Sequence, residues 1–219
     1  MRYECEMIAP IKSCLSEELE ESIFLQEFSV GYGVADLIAV QPNKKNIDAR
    51  LSARITGSIQ NYPEIQVVLA LKNYGESGTS FISNVTGISE ARLRADILKY
   101  LIRINIVKVS DANSYSLCQL PTPISNEIWA VEAKLNNWTK GYCQAKRYQH
   151  FANRSFLAIL DKYRHRVDDS VLKRNNIGLI TVSNTGACIV FRPRKRRPSS
   201  DTLSSLSNEF IWNEIQLVT

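Results

Sequence analysis

Two stretches of this chain read as strands buried in a sheet, and each carries charge where charge is expensive. Val34-Ala35-Asp36-Leu37-Ile38-Ala39-Val40 holds one aspartate in an apolar run, and Trp129-Ala130-Val131-Glu132-Ala133-Lys134-Leu135 holds a glutamate and a lysine. Flanks of this kind suit strands covered on both faces. An unpaired carboxylate in such a place is costly. Glu132 and Lys134 are two residues apart, so a strand puts both on one face and leaves Val131, Ala133 and Leu135 on the other.

Two readings account for these charges. Glu132 or Asp36 can pair with Lys134 in an internal salt bridge that only neutralises buried charge. Alternatively, carboxylates on neighbouring strands form a hard oxygen site for Mg²⁺, which takes one or two carboxylates together with waters and phosphate oxygens. Buried ion pairs are weak stabilisers that apolar residues can replace, and this favours the second reading. A lysine beside the ion can orient the attacking water, help to deprotonate it and neutralise developing charge.

The remaining pattern supplies a frame for those strands. Ile8, Ile11, Leu15 and Leu19 fall on one helical face, which predicts a helix over 8–22. Strands are expected over 23–28 and 34–40, joined at the Gly31-Tyr32-Gly33 turn. The chain returns to strand at 128–135, and a helix is expected over 138–152. A strand at 156–160, a short helix at 171–175 and strands at 177–182 and 188–192 follow. Alternating strands and helices imply an α/β architecture, with a central mixed sheet flanked by helices.

Between the charged strands lies a stretch of different character. Helices are expected over 64–74, 79–85 and 89–104, with Ser89 as N-cap of the last, followed by two short strands around Asp111-Ala112-Asn113 and then Pro121 and Pro123. This order resembles a winged helix-turn-helix, inserted into the sheet domain. The expected division is therefore 1–45 and 123–219 for the sheet domain, the latter ending in a basic tail, and 46–122 for the insert.

The order helix, strand, Asp-bearing strand, Glu-X-Lys strand and then a helix with Gln144-Ala145 resembles the PD-(D/E)XK nuclease superfamily, which has the restriction endonuclease-like fold. The resemblance covers 8–40 and 128–192 and leaves the insert outside. Ala35 stands before Asp36 where the superfamily often has proline. The resemblance implies a metal-dependent deoxyribonuclease in which Asp36 and Glu132 bind Mg²⁺, or Mn²⁺ in its place, with the Ala133 carbonyl as a further ligand. It assigns Lys134 to the nucleophilic water and Gln144 to the edge of the active site. It also implies a glutamate from the first helix. Among Glu17, Glu18, Glu20 and Glu21, helical projection favours Glu18, with Glu27 as a weaker competitor. By the same resemblance the enzyme leaves a 5′ phosphate and cuts both strands of a duplex only as a dimer. The ordinary alternative for the helix over 138–152 is an amphipathic element with Trp138, Tyr142, Ala145 and Tyr148 in the core.

DNA is the expected partner. In a winged helix the second helix of the turn unit enters the major groove, which nominates Ser89, Arg92, Arg94 and Lys99, with Lys108 in the wing. Lys140, Arg194 and Arg196 are expected on phosphates, the last two within the basic run Arg192–Arg197. The 219-residue chain carries a formal charge of +5, a balance that permits a polyanionic partner without demanding one.

No apolar run approaches the roughly 18 residues of a membrane span, and the Met1 to Pro10 stretch lacks the pattern of a signal peptide. A cytoplasmic protein is expected, as a homodimer or within a larger complex. The five cysteines are scattered singly and are expected to be reduced packing residues; His150 and His165 are expected at the surface. A second functional reading stays open, that of a DNA-binding regulator without catalysis whose nuclease-like half serves dimerisation or partner contacts.

Overall fold

The computed structural model describes residues 1–31, 33–55, 57–110, 113–118 and 122–218. A 3₁₀ turn (Glu4–Met7) leads into α1 (Ile8–Ser16), β1 (Ile23–Ser29) and β2 (Val34–Pro42). Next come α2 (Lys44–Ser52), α3 (Tyr62–Tyr74) and α4 (Thr79–Thr86). α5 (Glu90–Arg92) continues through a π-helical turn (Leu93–Ile97) into α6 (Leu98–Arg103). The hairpin strands β3 (Val107–Val109) and β4 (Tyr115–Leu117) precede β5 (Ser125–Lys134) and α7 (Trp138–Tyr148). β6 (Arg154–Leu160), a second 3₁₀ turn (Asp161–Arg166), α8 (Asp169–Arg174), β7 (Ile177–Ser183), β8 (Gly186–Phe191) and α9 (Asp201–Val218) complete the chain.

Contacts divide the chain into two units, Met1–Pro42 with Ser125–Ser204, and Asn43–Ile124 with the segment from Ser205 onward. The first is α/β. Its six strands run in the order β1-β2-β5-β6-β7-β8, parallel from β5 to β7 and antiparallel elsewhere. The near-continuous apolar runs of β5, β6 and β7 have this cause, since parallel strands are covered on both faces. One face, carrying Leu37, Trp129, Val131 and Phe156, packs against Ile8, Ile11 and Leu15 of α1. The other carries Leu157, Ile159 and Leu179 beneath Ala145 of α7 and Leu172 of α8.

The second unit has its own core, in which Ile65, Leu71, Ile82, Leu93, Ile97 and Leu101 meet Leu206 of α9. Gly87 ends α4 in the left-handed conformation (φ 71°), where a glycine escapes the Cβ penalty. Ser89 caps the next helix by accepting from Arg92 N–H. Arg50 and Glu209 form a buried two-pronged ion pair at 2.6 and 2.7 Å, and Arg50 also donates to Gly57 O at 2.9 Å.

Several sequence expectations need correction. α1 stops at Ser16 rather than Ser22, and α7 stops at Tyr148 rather than Ala152. The basic tail is followed by an 18-residue helix, α9, whose part from Ser205 belongs with the insert and not with the sheet unit. Cys5, Cys118, Cys143 and Cys188 are exposed thiols rather than packing residues, while Cys14 is half-buried. Tyr32, Asp111, Ala112 and Pro121, named above in turns, lie outside the described residues. Among the described residues, no helix is long and apolar enough to cross a membrane.

Candidate active site

The three charged residues of the buried strands meet at one edge of the sheet. β2 and β5 pair through Ile38 with Ala130 and Leu37 with Val131, which brings Asp36 and Glu132 to the next step of the register. There the ladder gives way to a side chain: the Asp36 carboxylate, rather than the β2 backbone, accepts the Ala133 N–H at 2.7 Å. This satisfies a donor that the parting strands would otherwise strand in a buried place.

Lys134 closes the cluster. Its Nζ lies 2.7 Å from Glu132 Oε1, close enough for an ion pair though not aligned as a hydrogen bond. It donates to Ala133 O at 2.9 Å and to Glu4 Oε2 at 3.0 Å. Three oxygens therefore converge on one positive centre. Glu4 stands in the 3₁₀ turn anchored by the fully buried Met7, and its other oxygen accepts from Leu135 N at 3.4 Å.

α7 covers the site through one face of its helix. Gly141 rests on the Lys134 stem, where an added Cβ would fall 2.8 Å from Lys134 Cγ. Two turns later, Tyr148 places its hydroxyl against Glu132 Oε2 and 2.6 Å from Val34 O. Gln144 lies between them on the same face, at i+3 from Gly141 and i−4 from Tyr148, and its buried Oε1 has no hydrogen-bond partner among the described residues.

Burial raises the carboxyls of Asp36 and Glu132 above the usual range. For Asp36 the Ala133 N–H and Lys134 oppose the shift, while Glu4 and Glu27 add to it. Lys134 and Tyr148 oppose it for Glu132. Burial alone would lower Lys134, but its contacts with Glu132 and Glu4 outweigh it and hold the amine above its ordinary value. The lysine is thus an ammonium, suited to donating hydrogen bonds and offsetting negative charge rather than to removing a proton. Burial, then Glu132, pushes the Tyr148 phenol upward, so it remains protonated.

The structure brings together Asp36, Glu132, Ala133 and Lys134 and sets Gln144 on the covering helix. It does not bring Glu18 to them. Glu18 pairs with Arg192 just beyond the end of α1, fourteen residues on from Glu4 and on the order of 20 Å away along the 3₁₀ turn and the helix. Helical projection identifies the buried face of α1 but not which of its ends meets Lys134, and it is Glu4 that does. Tyr148 was also missed as a site residue, because an aromatic on an apolar helix face gives the same signal whether or not its hydroxyl has a task. Glu27, which the β1–β2 register sets opposite Asp36 (Gln26 pairs with Leu37, Phe28 with Ala35), is exposed and adopts a left-handed conformation (φ 50°).

The expected DNA contacts are dispersed. Lys140 is exposed in the first turn of α7, beside Gly141. Arg92, Lys99 and Lys108 are exposed in the second unit, whereas Arg94 is held by Glu90 at 2.7 Å and Ser89 is engaged as a cap. Arg194 and Arg196 stand at the opposite edge of the sheet, where β6 and β7 begin, so they cannot share a phosphate with Lys134. His165 is exposed, and His150 lies 2.8 Å from Ser199 Oγ.

Among the described residues, no three His, Cys, Asp or Glu side chains converge as a metal-binding group. The donors at hand are two carboxylates on adjoining strands and one carbonyl, all oxygens. That set suits a hard cation which completes its shell with water and phosphate.

No protein-family model matches the chain, and no curated protein does. A solved structure similar to part of it is that of a protein of unknown function from Silicibacter pomeroyi, at 17% identity and a TM-score of 0.32. The match covers 42% of this chain and 60% of the other, so this chain spans less than two thirds of that protein. A likeness so distant carries no argument about activity.

Proposed function

We propose that the chain is a metal-dependent DNA endonuclease of the PD-(D/E)XK type. The observation that carries this reading is the meeting of Asp36 and Glu132 where β2 and β5 part, with the Lys134 ammonium held among Glu132 Oε1, Ala133 O and Glu4 Oε2. A salt bridge that served folding alone would need one carboxylate, and this lysine has two within 3.0 Å.

Asp36, Glu132 and the Ala133 carbonyl are the groups that would hold Mg²⁺ or Mn²⁺, and the bound ion supplies Lewis-acid activation of water and of the phosphoryl oxygen. Lys134, as an ammonium, donates to a non-bridging phosphate oxygen and offsets the charge that grows there. Tyr148 fixes the Glu132 rotamer from behind, and Gln144 offers an amide to the same face. Glu4 restrains Lys134 from the solvent side.

We read α3, α4 and the helix running from α5 to α6, followed by the β3–β4 hairpin, as a winged helix-turn-helix that would present Arg92 and Lys99, both exposed, to DNA. The proposal assigns it the positioning of the duplex.

The test is incubation of the protein with supercoiled plasmid, linear duplex and branched DNA in Mg²⁺, Mn²⁺ or chelator, beside Lys134→Ala. Metal-dependent cutting by the wild type, lost in the variant with DNA binding retained, is the expected outcome. Cutting that survives in Lys134→Ala overturns the site; binding without cutting on every substrate favours a regulator.

A further inference from the structure

The segment between β8 and α9, residues 192–200, runs as a strap across the sheet edge at which the parallel strands begin. Asn176, just before β7, accepts from Arg194 N–H at 2.8 Å and donates to Arg194 O at 2.9 Å. Asn153, just before β6, does the same for Arg196, accepting through its backbone carbonyl at 3.1 Å and donating through its amide at 3.2 Å. Arg154 Nη1 donates to Pro193 O, and Ser199 N–H donates to Gln149 O at 3.0 Å. The strap's backbone is therefore tied down at Pro193, Arg194, Arg196 and Ser199.

Tying the backbone decides what the side chains do. Lys195, though exposed, reaches back to within 2.9 Å of Glu127, which also accepts from Arg154 at 2.6 Å and from the Trp129 indole at 2.7 Å. Burial alone would raise Glu127, but these three donors hold it below the usual carboxylate range, so it is charged and fully used. Arg197 is taken by Asp201 at 2.7 Å. Arg194 and Arg196 are exposed, and among the described residues neither has a carboxylate at ion-pair distance. Two residues apart on an extended chain, their side chains leave from one side about 7 Å apart, comparable with the separation of neighbouring phosphates on one nucleic-acid strand.

The cations at the ends of α7 and α8 are explained by the favourable interaction of positive charge with a helix C-terminus. Arg194 and Arg196 lie on no helix and have no such reason to be there. Nor do they serve the acidic site. β5 begins beside the strap, where Lys195 reaches Asn126 O, and ends at Lys134, eight residues or about 26 Å further on.

We propose that this strap is a second phosphate-binding edge, which takes the backbone of a duplex DNA segment separate from the one that reaches Lys134. Binding is independent of sequence, since both arginines meet the duplex as charges fixed on a tethered backbone rather than from an element that fits a groove. The proposal goes beyond the nuclease reading and does not require cleavage.

The experiment compares the full chain with an Arg194→Ala/Arg196→Ala variant in EDTA, by fluorescence anisotropy of a labelled duplex across a salt series. Loss of two phosphate contacts lowers the slope of log K against log salt by about 1.8. An Arg194→Lys/Arg196→Lys variant keeps most of the slope, and circular dichroism reports whether each variant folds. In a second measurement, duplexes carrying donor and acceptor dyes are brought together by the wild type and not by the alanine variant. An unchanged slope overturns the strap as a DNA contact, even if the protein cuts DNA. Binding without any bridging overturns the separate segment. Failure of the wild type to bind DNA at all overturns this proposal together with the nuclease reading.

Discussion

Replacing Gly141 by alanine tests whether the helix over the site rests directly on the lysine stem. The added Cβ would lie 2.5 Å from Leu157 Cδ1 and 2.8 Å from Lys134 Cγ, distances that real Cβ atoms do not tolerate. Two effects oppose one another. Alanine is favoured over glycine in a helix interior by about 1 kcal/mol. Overpacking a filled core costs about 1–3 kcal/mol. Leu157 is fully buried and Lys134 is pinned by Glu132 and Glu4, so neither neighbour can yield cheaply and the steric effect wins. The expected net loss is about 0–2 kcal/mol, which for a chain of this size lowers Tm by up to about 8 °C. Thermal unfolding followed by circular dichroism reads this directly. A rise in Tm, with helix propensity acting unopposed, refutes the close packing of α7 on Lys134. Because relief of the clash displaces the ammonium, the proposed metal-dependent cleavage falls in the same variant.

Lys134→Ala leaves the fully buried Glu132 without its cation, and breaking such a pair costs about 3–5 kcal/mol. Because burial raises the Glu132 carboxyl, that cost appears as pH climbs from the ordinary carboxylate value through the raised one; urea midpoints should therefore fall further at pH 8 than at pH 5, and equal losses refute it. Metal binding needs ionised carboxylates, so Mn²⁺ affinity measured by electron paramagnetic resonance should keep rising above the ordinary carboxylate range of about pH 4. A profile already flat at pH 5 contradicts the raised values of Asp36 and Glu132. In the second unit, Arg50→Ala strips the buried Glu209 of its two-pronged partner and is expected to cost about 3–5 kcal/mol. Arg50→Lys should recover part of this, since an ammonium keeps the charge and loses the fork. Unfolding monitored through Trp212, whose ring lies 4.7 Å from the Arg50 guanidinium, checks both, and an unchanged midpoint counts against the pair.

Much of the site was legible because it rests on short-range periodicity. The two-residue spacing of Glu132 and Lys134 sufficed to place them on one face, and the apolar flanks of Asp36 sufficed to make it a strand residue. Glu4 was not legible. It precedes the helix that the pattern revealed, and its contact with Lys134 depends on the direction in which α1 crosses the sheet, a choice that no residue of α1 encodes alone. The C-terminal helix has a readable signal, since Leu203, Leu206 and Phe210 fall at i, i+3 and i+7.

The sequence by itself determined the strands and flanking helices of the sheet up to β8, the α/β class of the larger unit and the strand positions of Asp36, Glu132 and Lys134, because periodicity and burial act over a few neighbours; α2 and α9 were not read from it. Only the tertiary structure decided which distant groups meet. Glu4 joins Lys134 across 130 residues, Tyr148 reaches Val34 across 114, and Arg50 finds Glu209 across 159. It also parted the two ends of the sheet, setting the carboxylates where β5 ends and the arginine strap where β6 and β7 begin. The physical reason is that a buried polar group must find its partner within about 3 Å of space, whatever its distance along the chain.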